Sequence, residues 1–139
     1  MKKHLPISFS LFFVSLFVIS MISGFKPAQD KKPWNAPDAA KNVKNPVASN
    51  ATSIASGKEL WDTNCKSCHG GKGLGDGNKA AQLKTDPGDF STQAIQAQTD
   101  GSLFYKLSEG RGDMPSFKKK LPDDEDRWAL VNFIRTLKK

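Results

Sequence analysis

Two cysteines, two histidines and a single tyrosine are all that this chain of 139 residues holds of those types. The shortage narrows its chemistry. A structural zinc site takes four Cys or His ligands, and the whole supply is Cys65, Cys68, His69 and His4. His4 falls in a segment that reads as a targeting signal, so it is not available. A disulfide joining cysteines two residues apart is strained and closes almost no loop. Acid–base or nucleophilic catalysis lacks a spare histidine and a nucleophile beside one. No run of β-branched residues marks a strand, so the βα setting of a thioredoxin-type Cys pair is missing. The interleaved aromatics and clustered arginines of a nucleic-acid binder are missing too.

What is there is Cys65-Lys66-Ser67-Cys68-His69. Two thiols at this spacing reach both vinyl groups of one porphyrin as thioethers, and the histidine that follows becomes a proximal iron ligand. The pattern points to one covalently attached haem c. Gly70-Gly71-Lys72-Gly73 follows it, within a loop of five glycines ending at Gly77. No strand precedes that loop and no Gly-Lys-Ser/Thr follows, so it does not cradle phosphate.

A low-spin transfer haem needs a second strong axial ligand. After residue 24 the chain has one histidine, His69, and one methionine, Met114. Supply therefore rules out a His/His pair. Met114 stands in Gly110-Arg111-Gly112-Asp113-Met114-Pro115, a helix-incompatible loop able to turn a thioether inward. A buried methionine that only fills space is the competing reading. His/Met coordination raises the reduction potential. These residues suit an electron carrier. A haem enzyme or ligand sensor with a labile Met114 would use the same ones, and a haem-free thiol oxidoreductase would use only the cysteines.

The chain divides into three parts. Residues 1–24 read as an export signal, with basic Lys2 and Lys3 ahead of an apolar run over 5–22. That run, about 18 residues, is near the lower limit for a membrane span, so a retained anchor is the second reading. Both place the remainder outside the cytoplasm, in the periplasm. Residues 25–52, with Pro27, Pro33, Pro37 and Pro46, read as a flexible Pro/Ala/Asn/Lys-rich linker. Its Trp34 either meets a partner or packs back on the domain. Without Lys2 and Lys3 the chain carries 19 basic and 14 acidic residues, a net charge of +5. Lys66, Lys72, Lys79 and Lys118-Lys119-Lys120 either flank a haem edge and steer an acidic partner or are ordinary solvated lysines.

Residues 53–139 form the third part, a domain of 87 residues. So small a domain buries a modest share of its surface, and a porphyrin would complete its core. The periodicity predicts a first helix from Ser53 to Cys65, capped by Ser56 or Ser53, with Gly57 and Trp61 on one face. A short helix fits 78–83. Another fits Asp100 to Glu109, with Leu103, Phe104 and Leu107 inward and Gly110 ending it. The last is capped by Asp123, has an acidic first turn, and carries Trp128, Val131, Phe133, Ile134 and Leu137 on its apolar face. The expected class is all-α.

The stretch from Ser53 to the C-terminus resembles the class I cytochromes c. The likeness rests on Cys65 to His69, Met114-Pro115, Gly57 with Trp61, and the closing Arg127-Trp128-Ala129-Leu130-Val131-Asn132-Phe133-Ile134-Arg135. It implies a fold in which the first and last helices cross near Gly57, Trp61 and Phe133, around a covalent haem. It also implies Met114 as the distal ligand and a proline carbonyl on the other ring nitrogen of His69, a role for which Pro87 is a candidate. Asp100 to Phe104 and Gly110 to Phe117 are similar to mono-haem subunits of bacterial respiratory complexes. Its partners would then be redox proteins, among them a quinol-oxidising complex or a terminal oxidase.

Overall fold

Gly57 and Ala129 sit where the two longest helices cross, and the missing side chain at Gly57 sets their separation. A Cβ built there would lie 2.1 Å from the Ala129 carbonyl oxygen and 2.9 Å from the Phe133 Cβ. The computed structural model describes residues 33–139. In chain order its helices are α1 (Asp38–Lys41), α2 (Ala51–Asn64), α3 (Lys66–His69), a 3-10 turn at Ala80–Gln82, α4 (Gln93–Gln96), α5 (Asp100–Glu109) and α6 (Asp124–Thr136). Among the described residues the only β pairing is a bridge between Arg111 and Met114. The fold is all-α, and the expected crossing of first and last helices is its central contact.

α6 starts as the sequence dictates. Asp123 accepts from the Glu125 amide at 2.9 Å, and Asp124, Glu125 and Asp126 complement the positive end of the helix dipole. Its burial is wider than an apolar stripe: every residue from Arg127 to Ile134 is buried. The cause is that α6 has neighbours all round. α2 covers one side and α5 a second, where Phe104 stacks on Trp128 at 3.9 Å. Arg135 clamps the chain between α4 and α5, donating to the Gln96 carbonyl at 2.9 Å and pairing with Asp100.

The third neighbour corrects the linker expected at 25–52. From Pro33 onward that stretch belongs to the same compact unit as the helices. The Asn45 amide donates to the Asn132 side-chain oxygen at 2.8 Å. Asn132 in turn donates to the carbonyls of Val47 and Ala48 at 3.2 and 3.4 Å. The same contacts move the start of α2. Asn50, not Ser53 or Ser56, is its N-cap: it accepts from the Ser53 amide at 3.0 Å while the Ser53 hydroxyl accepts from the Asn50 amide at 3.1 Å. The sequence favoured serine because both residues have capping chemistry. The reading of 1–24 as signal or anchor, and of 25–32 as linker, lies outside the described residues. Among the described residues no helix is long and apolar enough to cross a membrane.

Candidate functional site

Cys65 ends α2 and opens α3. Its carbonyl accepts from the Cys68 and His69 amides at 3.1 and 2.9 Å. Residues four apart on such a turn share a side, so Cys65 and His69 face the same way. Gly70 then turns the chain with φ +80°, where a Cβ would lie 1.8 Å from an Asp76 carboxylate oxygen. The glycine loop folds back and uses the carbonyls of the short helix. Gly75 donates to His69, Gly77 to Cys68 and Lys79 to Ser67, at 2.9, 3.2 and 2.8 Å. The Trp61 indole fastens the turn by donating to the Gly70 carbonyl at 3.0 Å.

The His69 ring is held by aromatic neighbours, with the Phe90 centroid at 4.9 Å edge-on and Trp61 at 5.7 Å. Burial lowers its affinity for a proton, and the Pro87 backbone opposes that shift. Proline has no backbone N–H, so the interacting group is the carbonyl. The Nδ1 nonetheless makes no hydrogen bond of regular length and angle, so the Pro87 approach is loose. At neutral pH the imidazole is uncharged, which is the form that ligates a metal.

Met114 stands at the end of a tight turn. The Arg111 amide donates to its carbonyl at 2.8 Å, and the Met114 amide donates back to Arg111 at 3.1 Å. Between them, Asp113 accepts from the backbone amides of Lys84 and Thr85 at 2.7 and 3.1 Å. The methionine turn is thereby tied to the segment just ahead of Pro87.

Cys65, His69 and Met114 converge on one cavity of about 640 Å³, a volume suited to a cofactor. Its walls are largely apolar and include Trp61, Phe90, Leu103, Leu130 and Ile134. Cys68 is half-buried beside it and does not line it. Burial is the main cause that pushes the Cys65 thiol up to about 12. It stays protonated at neutral pH, unlike the thiolate a disulfide oxidoreductase depends on. Among the described residues no three His, Cys, Asp or Glu side chains gather as a bare-ion site. The lining fits a large apolar group that Cys65 would fasten through sulfur and that His69 and Met114 would be able to ligate.

Known proteins resemble the chain in the same region. Residues 52–134 match the family described as "Cytochrome C oxidase, cbb3-type, subunit III". The chain belongs to the class I cytochromes c. It is 31% identical over 86 residues to cytochrome c6 of Cladophora glomerata, spanning 58% of this chain and 85% of that protein. With cytochrome c6 of Leptolyngbya boryana it shares 36% over 75 residues, 51% of this chain and 78% of the relative. A solved c-type cytochrome superposes with a TM-score of 0.53 at 32% identity, covering 60% of this chain and 98% of that one. The reducing HAO-like protein complex of Kuenenia stuttgartiensis superposes with a TM-score of 0.61 at 25% identity over 79% of this chain. This cytochrome spans about half, 53%, of that structure's chain. Its cofactor is a covalently bound haem c, and its activity is haem-based electron transfer to and from redox partners.

Sequence reasoning missed several residues that line the cavity. Trp34, Asn35, Lys41 and Lys106 line it, while none of Lys66, Lys72, Lys79 or Lys118–Lys120 does. Trp34 packs back on the domain, with the Arg111 guanidinium 4.7 Å and the Lys106 ammonium 5.7 Å from its ring centroid. Burial, and then the neighbouring Arg111, lower the Lys106 ammonium from its ordinary value. Nothing periodic in 33–41 signalled this role.

Proposed function

We propose that this cytochrome is a one-electron carrier of a periplasmic respiratory chain, its haem joined through Cys65 and Cys68 and ligated by His69 and Met114. The observation that carries the reading is the convergence of the Cys65–His69 turn and the distant Met114 turn on one largely apolar cavity. Bound there, the haem supplies Fe(III)/Fe(II) cycling. The protein's part is to hold it still. Trp61 and Phe90 fix the plane of His69, and burial keeps that ring neutral. The Arg111–Met114 turn presents the thioether, and a sulfur ligand in place of a stronger donor raises the potential. The similarity to an oxidase subunit family supports a terminal oxidase or quinol-oxidising complex as partner, whether the chain is free, tethered or a subunit.

The test is expression with c-type haem maturation, followed by intact mass and absorption spectroscopy. The mature chain gains the mass of one haem, and its oxidised form shows a methionine-to-iron charge-transfer band. Met114→Ala keeps the added mass, loses the band and moves the midpoint potential down. A variant that keeps the band would remove Met114 from the iron, and a high-spin resting ferric spectrum in the wild type would favour the enzyme or sensor reading.

A further inference from the structure

The residues ahead of the family match form part of the cofactor cavity. The match begins at residue 52, yet Trp34, Asn35 and Ala36 line the cavity beside His69 and Met114. Three contacts pin the segment. Ala36 is buried. The carbonyls of Ala40 and Val43 pass so close to Gly101 of α5 that a Cβ there would meet them at 2.0 and 2.8 Å. Further on, Asn45 is bonded to Asn132. A strap tied at those points has little freedom to leave. The strap also carries Trp34, its largest side chain, beneath two cations that face its ring, an arrangement that holds an indole in place.

We propose that Trp34–Ala36 is a built-in wall of the haem cavity, which excludes water from the cofactor and raises its reduction potential, with Trp34 the positioning residue. The proposal rests on the reading of this cavity as the haem site. The physical reason is that a haem's potential depends on burial and on nearby charge. The Trp34 indole and the buried Ala36 lower the local dielectric, and the low-dielectric surroundings strengthen the effect of Arg111 and Lys106, both of which favour the less positive ferrous haem. Removing the indole admits water and weakens both effects.

The experiment uses the full-length haem-loaded protein and compares wild type with Trp34→Ala and Trp34→Phe. Trp34→Ala is expected to keep one covalent haem and the far-ultraviolet helical spectrum, while its midpoint potential falls and ferric cyanide binding quickens. Trp34→Phe restores most of both. An unchanged or raised midpoint in Trp34→Ala, with cyanide binding as slow as in the wild type, overturns the proposal. Should Trp34→Ala fail to fold, the wild type still decides, through its indole resonances with 5-fluorotryptophan. A Trp34 resonance that shifts between ferric and ferrous states places the indole against the haem, and one that does not shift overturns the wall. Absence of attached haem in the wild type would instead sink the cavity assignment itself, and pyridine haemochrome absorbance reports that separately.

Discussion

A single hydrogen at position 57 governs how closely α2 and α6 cross. An added methyl would enter the 2.1 Å space before the Ala129 carbonyl oxygen, and a helix backbone atom cannot rotate away as a side chain tip does. Alanine would gain about 1 kcal/mol of helix propensity over glycine. Overpacking costs typically 1–3 kcal/mol, and a clash with backbone falls at the upper end. Gly57→Ala is therefore expected to destabilise the haem-loaded protein by about 1–2 kcal/mol net. At about 4–8 °C per kcal/mol for a domain of this size, thermal unfolding resolves that loss. An equal or higher melting temperature would mean that the crossing has slack. The same scale holds the indole of Trp61, which packs on Phe133 at 5.6 Å and fastens the Gly70 turn. One side chain thus ties the helix crossing to the turn that aims His69.

α6 is held from three sides, and the third rests on one polar side chain. Asn132 accepts from Asn45 and donates toward Val47, Ala48 and the Ser53 hydroxyl, the last at 3.2 Å. Asn132→Ala strands several of these groups in a place with little water. A buried group without a partner costs about 1–3 kcal/mol, so the expected loss is roughly 2–4 kcal/mol, read from the denaturant midpoint of the haem-loaded protein. Limited proteolysis should in addition cut within 33–48 far sooner than in the wild type, and equal cutting would show that the strap holds without Asn132. This element also shows what could be read from the sequence. Asp123 and its acidic turn announced the start of α6, and the Cys65–His69 motif announced a haem c protein, because each is local. Asn132 in an apolar helix and Ala40 over Gly101 have no periodic or compositional trace. Asn132 acts on residues 85 and 87 positions away in sequence, and Ala40 meets Gly101 across a long gap as well, so 33–52 read as a linker. The cap at Asn50 was missed for a related reason: Ser53 carries the same capping chemistry and takes its partner's part in the reciprocal pair.

For the molecule as a whole, the size of the cavity sets what the chain can do alone. Without a porphyrin, the largely apolar walls of this cavity of about 640 Å³ stay in contact with water and forgo several kcal/mol of burial at about 25 cal/mol per Å². Small domains have only about 5–15 kcal/mol of stability in total, so that loss removes a large share of it. The walls are drawn from α2, α5, α6 and the strap together, so no single element can close the space without giving up contacts elsewhere. The Gly57 crossing and the Asn132 network then come under strain at once. The wild-type sequence made without haem attachment is therefore expected to lack native near-ultraviolet circular dichroism, to show much reduced helix content and to unfold without a cooperative transition. The haem-loaded protein should show all three native features. A haem-free chain with native spectra and a sharp melt would mean that the helices pack without the porphyrin, and that the cavity is a site the cofactor enters rather than a core it completes.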